Sequence, residues 1–475
     1  MIDLKNLTIE KAHQDLKNSK YSCRDLTEAY LQVIKEKNSE LNAFIEVYDD
    51  VFTQADRADQ KFKDNTATLM TGIPVAIKDN ILFTGHKASA GSNILVNYIA
   101  TYDSDAIRKL RKAGAVILGR TNMDDSAMGV STETSPYGVT KNPYDTTRVP
   151  GGSSGGSAVA VAADMTLVAL GSDTGGSCRQ PAAFCGVVGF KPTYGSVSRS
   201  GLIAMASSLD VIGPISKNIT DAEIIFNVIS GKDEMDSTSI PPDFYKKKNI
   251  KKPVIGVPRH LIIDGVDKRV LENFEASIKK LESSGYGIKE IELPYVKYTV
   301  PTYYIIVPAE ASTNLARFDG MRYGLHKDGS NLTDDYLKTK GAGYGKEVKR
   351  RILIGTYVLS AGYYDAFYNK AKTVQKLIIN DYNKAFEKVD LILTPTTTGP
   401  AFKIGEKISD PVKMYLEDIF TAPANMTGLP AISVPSGFVD LEDKKLPLGI
   451  QFMAPHGRED LLFDVGKKFE SLSSV

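Results

Sequence analysis

The chain has 475 residues, of which 42% are hydrophobic and 24% charged, which excludes intrinsic disorder and fibrous classes and is enough for a large core. With 58 Lys+Arg against 57 Asp+Glu the net charge is +1, so no global field draws the chain to nucleic acid or to an anionic membrane. Three cysteines, Cys23, Cys178 and Cys185, are too few for a disulfide framework and lack zinc-site spacing, which points to a reducing compartment.

The N-terminal stretch MIDLKNLTIEKAHQD mixes charged and apolar residues, unlike a signal peptide or anchor, and a cytoplasmic location without membrane contact is expected. One helix is predicted after Thr8. A second follows Ser22, where Asp25 completes a capping box. GIPVAIKDN reads as a strand ending in Lys78, and DSDAIRKLRKAG then AVILGRT as a helix and a strand. After the turn-rich NPYDTTRVPGGSSGGS come a small-residue helix (AVAVAA), the strand-like TLVALGSDT and a second glycine-rich turn.

The basic run at 246–252 reads as a solvated loop before the strand PVIGVPRH. A helix over about 266–284 and the strand KEIELP follow. Residues 303–386 form a mostly helical insertion or cap, and VDLILTPTT, PAISVPSG and LPLGIQFMAP restore the strand pattern before a last helix. The prediction is an α/β fold in which helices flank a large mixed sheet, residues 1–475 forming a single domain.

Two glycine/serine segments carry the chemistry: GGSSGGS at 151–157 and GSDTGGSCRQPAAFCG at 171–186. Glycines allow positive φ and close approach, and successive N–H groups in such turns make an anion-binding nest. A phosphate loop is excluded, because GAGYGKE places Glu347 where Mg²⁺ binding needs a hydroxyl. DTGG at Asp173 lacks the second carboxylate of an aspartic-protease dyad. GGSSG also satisfies the nucleophile elbow of α/β-hydrolases, with Ser153 as nucleophile and His260, His326 or His456 as base. That elbow needs a preceding strand, where this chain has a turn with two prolines.

Lys78 is the remaining candidate base. A lysine at a strand end is ordinarily a solvated charge, and holding a free amine (pKa about 10.4) neutral at pH 7 costs roughly 4.6 kcal/mol. Burial without a carboxylate partner lowers that pKa by about 3 to 5 units and removes most of the cost.

A strand ending in lysine, then GGSSGG, then DTGGSxRxPAAFCG resembles the amidase signature family. The resemblance implies Ser177 as nucleophile, Ser153 as a bridging serine held by a cis peptide bond, and Lys78 as base, with the N–H groups of Thr174, Gly175, Gly176 and Ser177 as oxyanion hole. TNMDDSAMG, EASTNLARFDGMRYG and GKEVKRRILIGTYVLSAGYYDAFY resemble the family's glutamine-hydrolysing amidotransferase branch, and the similarity runs the length of the chain.

Glutamine needs a cation for its carboxylate and an anion for its ammonium. The resemblance assigns these to Arg351 and Asp418, with Tyr303 lining the pocket, although neighbouring Arg350 leaves the register open by one. It further implies no metal or cofactor in this chain. ATP, Mg²⁺ and the aminoacyl-tRNA, Glu-tRNA(Gln), belong to a partner subunit, and a small third subunit completes a heterotrimer. A stand-alone amidase is the alternative. MDDSAMG departs from the usual MDEFAMG at Asp125 and Ser126. Cys178 replaces an aliphatic residue and should point its thiol into the core, while Cys185 should be a packing residue.

Overall fold

The computed structural model describes residues 2–245, 250, 252–262 and 265–472. Of the basic run at 246–252, residues 246–249 and 251 lie outside the described residues. The strands are β1 (Phe44–Val47), β2 (Pro74–Lys78), β3 (Val116–Thr121), β4 (Val168–Asp173), β5 (Val188–Lys191), β6 (Val211–Ser216), β7 (Val254–Val257), β8 (Gly287–Glu290), β9 (Leu391–Pro395), β10 (Ala431–Leu441) and β11 (Lys444–Met453). They form one 11-stranded sheet in the order β1-β3-β2-β4-β6-β5-β10-β11-β9-β7-β8. The sheet is mixed, as expected. β3, β2 and β4 are mutually parallel, β9, β7 and β8 are parallel, and the strands between them pair antiparallel.

Local chemistry sets the helix starts. Thr8 caps Ile9–Lys17, and Ser22 and Asp25 form the reciprocal capping box of Cys23–Leu41. The strand expected at KEIELP lies earlier, because the Gly287–Glu290 backbone pairs with Val254–Val257 at the sheet edge and Ile291 and Leu293 turn inward to a core cluster. Between β8 and β9 run the helices Thr299–Asn314, Leu332–Gly343, Lys346–Val358 and Lys370–Phe386. Thr299–Asn314 and Lys346–Val358 cross closely at Gly355, where a Cβ would meet the Pro308 carbonyl oxygen at 1.9 Å. That contact brings the Tyr303–Tyr304 pair and Arg351 onto facing surfaces. No helix among the described residues is long and apolar enough to cross a membrane.

The central strands are buried on both faces and read as near-continuous apolar runs: PVAIK, VILGRT and VALGSD are buried at every position. Parallel pairing brings the carboxyl ends of β2 and β4 to the same side of the sheet, with Val75, Ala76 and Ile77 opposite Val168, Ala169 and Leu170. Open α/β sheets bind ligands at such ends. Lys78 closes β2 there, and Asp173 closes β4.

Candidate active site

Lys78 has no exposed surface. Its Nζ lies 2.7 Å from Ser153 Oγ, 2.9 Å from Ser172 Oγ and 3.3 Å from the Ser172 carbonyl oxygen. Asn80 Nδ2 donates to Ser172 Oγ at 2.9 Å and so orients that hydroxyl. Among the described residues no carboxylate lies within ion-pairing distance of the amine. Burial pulls the amine down to about 8, while the Cys178 thiol, Asp124, Asp173 and Asp210 act more weakly in the opposite sense. A neutral amine has two N–H groups and one lone pair, so one of its three close contacts can be a hydroxyl donating to nitrogen.

The turn before the helix Gly155–Ala162 holds Ser153, following a cis Gly152–Ser153 peptide bond, and no strand precedes it. Asp124, fully buried, braces this turn. It accepts from the Thr132 N–H at 2.9 Å and Thr134 Oγ1 at 2.8 Å, while Thr132 Oγ1 donates to the Gly151 carbonyl at 2.8 Å. Gly152 N–H donates to Gln180 Oε1 at 2.9 Å. Among the described residues no histidine bonds to Ser153: His260 faces the Leu293 backbone, His326 the Asp328 carboxylate and His456 the Thr427 carbonyl. This geometry removes the α/β-hydrolase alternative.

Ser177 sits in the loop after β4. It is 8% exposed, whereas Ser153, Ser154 and Ser157 are at 0%, so of these hydroxyls it is the one a substrate can reach. Its carbonyl accepts from Ser154 N–H at 3.1 Å, which ties the two glycine/serine loops together. The Ser177 hydroxyl makes no hydrogen bond to Ser153 in this structure, and catalytic contacts commonly tighten only when substrate binds.

Of the four N–H groups expected to form the oxyanion hole, that of Gly176 is engaged, donating to Asp173 Oδ1 at 2.9 Å. Cys178 N–H donates to Asp173 Oδ2 at 3.1 Å. The N–H groups of Thr174, Gly175 and Ser177 have no acceptor among the described residues. Asp173 is held as a carboxylate in spite of burial. Burial alone would raise its pKa, but the Arg179 guanidinium, bidentate at 2.9 and 3.0 Å, holds it at about 2. Arg179 also donates to the Thr421 carbonyl at 3.0 Å, to Asn425 Oδ1 at 2.7 Å and to Gln451 Oε1. This fully buried network fixes the loop carrying Ser177.

A Cβ at Gly175 would meet Tyr303 Oη at 2.4 Å, so glycine is required for Tyr303 to lie over the loop. Arg351 is 4% exposed and bonds Glu347 Oε1 at 2.9 Å, whereas Arg350 is an exposed partner of the same Glu347. The buried position is therefore Arg351. Its guanidinium lies over the Tyr304 and Tyr415 rings at 5.2 and 5.7 Å. Tyr304 Oη donates to Asp418 Oδ2 at 2.7 Å. Burial pushes Asp418 up to about 7, opposed by the Tyr304 bond and the Arg351 charge. Cation, anion and aromatic wall thus meet around Tyr304, and a cavity of about 40 Å³ lined by Met128, Thr134, Tyr304, Arg351 and Tyr415 adjoins them.

Sequence reasoning missed Ser172, Asn80, Arg179, Tyr304 and Glu347. Ser172 and Arg179 lie within the quoted glycine/serine segment, and Tyr304 directly follows Tyr303. Asn80 ends the quoted GIPVAIKDN and Glu347 lies in the quoted GKEVKRRILIGTYVLSAGYYDAFY, but neither segment marks the residue for a role at the site. Cys178 points inward as expected, against Gly171 and Gly213, and burial pushes its thiol up to about 12, so it is no rival nucleophile. Cys185 is likewise fully buried. Among the described residues the sole grouping of three possible metal ligands, Asp49, Asp50 and His86, includes none of these side chains.

The amidase family model matches residues 25–463, and the chain belongs to the amidase family. Its relatives narrow the class. Over 477 residues it is 50% identical to the A subunit of glutamyl-tRNA(Gln) amidotransferase from Thermoanaerobacter pseudethanolicus, covering 99% of this chain and 97% of that one. Over 426 residues it is 54% identical to the corresponding protein of Thermodesulfovibrio yellowstonii, covering 88% of this chain and 87% of the relative. The crystal structure of the same amidotransferase component from Thermotoga maritima superposes with a TM-score of 0.81 at 42% identity, over 100% of this chain and 96% of that one. A solved amidase superposes at 0.83 with 27% identity, over 98% and 99% of the two chains.

Proposed function

We propose that the chain is the glutamine-hydrolysing component of a glutamyl-tRNA(Gln) amidotransferase, with Ser177 as nucleophile, Ser153 as relay and Lys78 as base. The contact of the Lys78 amine with Ser153 Oγ at 2.7 Å, in a buried setting with no carboxylate at ion-pairing distance among the described residues, carries this reading. The near-full-length similarity to proteins named as glutamyl-tRNA(Gln) amidotransferase components supports the amide donor's identity.

In this mechanism the Ser153 proton moves to the Lys78 lone pair as Ser177 gives its own proton to Ser153 and attacks the glutamine side-chain carbon. The oxyanion is met by the free N–H groups of Thr174, Gly175 and Ser177, each worth about 2.7 to 4 kcal/mol in comparable sites. Ammonia leaves after the proton returns through Ser153 to its nitrogen. Water, deprotonated along the same route, then hydrolyses the γ-glutamyl ester, so that glutamine and water give glutamate and ammonia. Arg351 takes the substrate carboxylate and Asp418 its ammonium.

With no phosphate loop in the sequence, activation of a carboxyl group by ATP falls to another protein. The ammonia is consumed on a B subunit that holds ATP, Mg²⁺ and Glu-tRNA(Gln), with a small C subunit completing a cytoplasmic heterotrimer. The test is Ser177→Ala: glutamine hydrolysis is lost with folding intact, and a fluorophosphonate labels Ser177 of the parent and nothing in the variant. Retained turnover in Ser177→Ala overturns the assignment.

A further inference from the structure

Away from the site, the segments 96–102 and 317–324 lie side by side, joined by Leu325 N–H donating to the Ile94 carbonyl at 2.8 Å and by Tyr98 against Tyr323 with ring centroids 5.3 Å apart. Two adjoining cavities of about 610 and 150 Å³ share these two tyrosines. The rim exposes large apolar side chains: Ile99 is 53% exposed, Tyr102 51%, Tyr323 41% and Met321 38%. Soluble surfaces rarely gather such side chains in one groove; tyrosine, methionine and arginine are enriched in interfaces, and tyrosine and arginine in binding hot spots.

The charges of the groove are one-sided. Arg317 and Arg322 line it, and exposed Lys87 stands at its edge, bridged to Ile99. None of the three makes an ion pair among the described residues. Of the nearby acids, Asp103 is committed to Arg111, and Asp319 accepts from the Met321 N–H at 3.0 Å.

We infer that this groove docks a segment of a partner subunit in which apolar side chains are flanked by acidic ones. The inference rests on the reading that the chain works within an amidotransferase complex. A nucleic-acid strand fits less well: much of the floor is aliphatic (Leu82, Leu95, Leu202) rather than a platform of aromatic rings on which successive bases stack. A second copy of this chain seated by twofold symmetry would set the same unpaired cations against each other.

The test uses the full chain, its recombinant partner subunits from the same organism and a 20-nucleotide oligouridylate. Arg317→Glu with Arg322→Glu should weaken partner binding by about 100-fold or more and Tyr323→Ala by about 10-fold. Wild-type affinity should fall with added salt, and glutamine hydrolysis by the lone variants should stay at the parent level. Partner affinity unchanged in both variants overturns the inference. So does oligouridylate binding, or self-association in sedimentation, that the variants abolish while partner binding persists. If the parent chain fails to bind the partner subunits at all, the amidotransferase reading falls first and this surface with it.

Discussion

Replacing Lys78 by Met removes the base and should also abolish the pH dependence of stability that a buried amine imposes. The folded amine titrates at about 8 against an ordinary 10.5, and that gap corresponds to about 3 kcal/mol of folding free energy. Below pH 8 both folded and unfolded chains carry the proton, and the full cost of burying a cation is present. Between 8 and 10.5 the folded protein has shed the proton while the unfolded chain keeps it, so stability climbs with pH. Above 10.5 the cost is gone.

Met fills similar space without charge but forfeits the bonds to Ser153 and Ser172, at about 1 kcal/mol each. The variant should therefore be more stable than the parent by about 1 kcal/mol at pH 7 and less stable by about 1 kcal/mol near pH 10. It should have no glutamine hydrolysis at either pH. Urea midpoints of both proteins, measured at half-unit steps from pH 6.5 to 10, read the crossover directly. A stability difference that stays flat across this range would refute the claim that burial depresses the amine.

Two further outcomes follow from the buried charges. Asp418, raised to about 7, must be ionised to hold an ammonium, so KM for glutamine should rise about tenfold per unit as pH falls below 7. Asp418→Asn should give a high KM that no longer depends on pH there, and a variant that retains the parent's pH profile contradicts the role. Arg179→Met leaves the Asp173 carboxylate uncompensated in a site with no exposed surface and should cost about 3 to 5 kcal/mol. The double variant Asp173→Asn, Arg179→Met should recover part of it in thermal denaturation, whereas a single variant as stable as the parent argues against the network.

The two caps at Thr8 and Ser22 and the buried strands flanking the site were legible from residue type and pattern, because each is a local signal, whereas the pairing of Lys78 with Ser153, 75 residues apart, was expected from the family resemblance and not from the lysine's own surroundings. β1, β5 and β6 were not legible: FIEV and VGFK are only four residues long, and the VIGPIS strand carries a proline. The partners of Asp173 and Arg179 escaped for a different reason. Thr421, Asn425 and Gln451 lie more than 240 positions further along the chain, and nothing in their own surroundings marks them. The commitment of the Gly176 N–H to Asp173 is a property of loop geometry, which a motif specifies without displaying. Arg350 and Arg351 could be told apart only by burial.

The most direct measurement is a titration of the Lys78 amine itself. In protein labelled with ¹³Cε and ¹⁵Nζ lysine, its resonance is the one absent from Lys78→Met. The account predicts a transition at about 8, with a substantial neutral fraction under the conditions of turnover. A group that remains fully protonated up to pH 10 would contradict it.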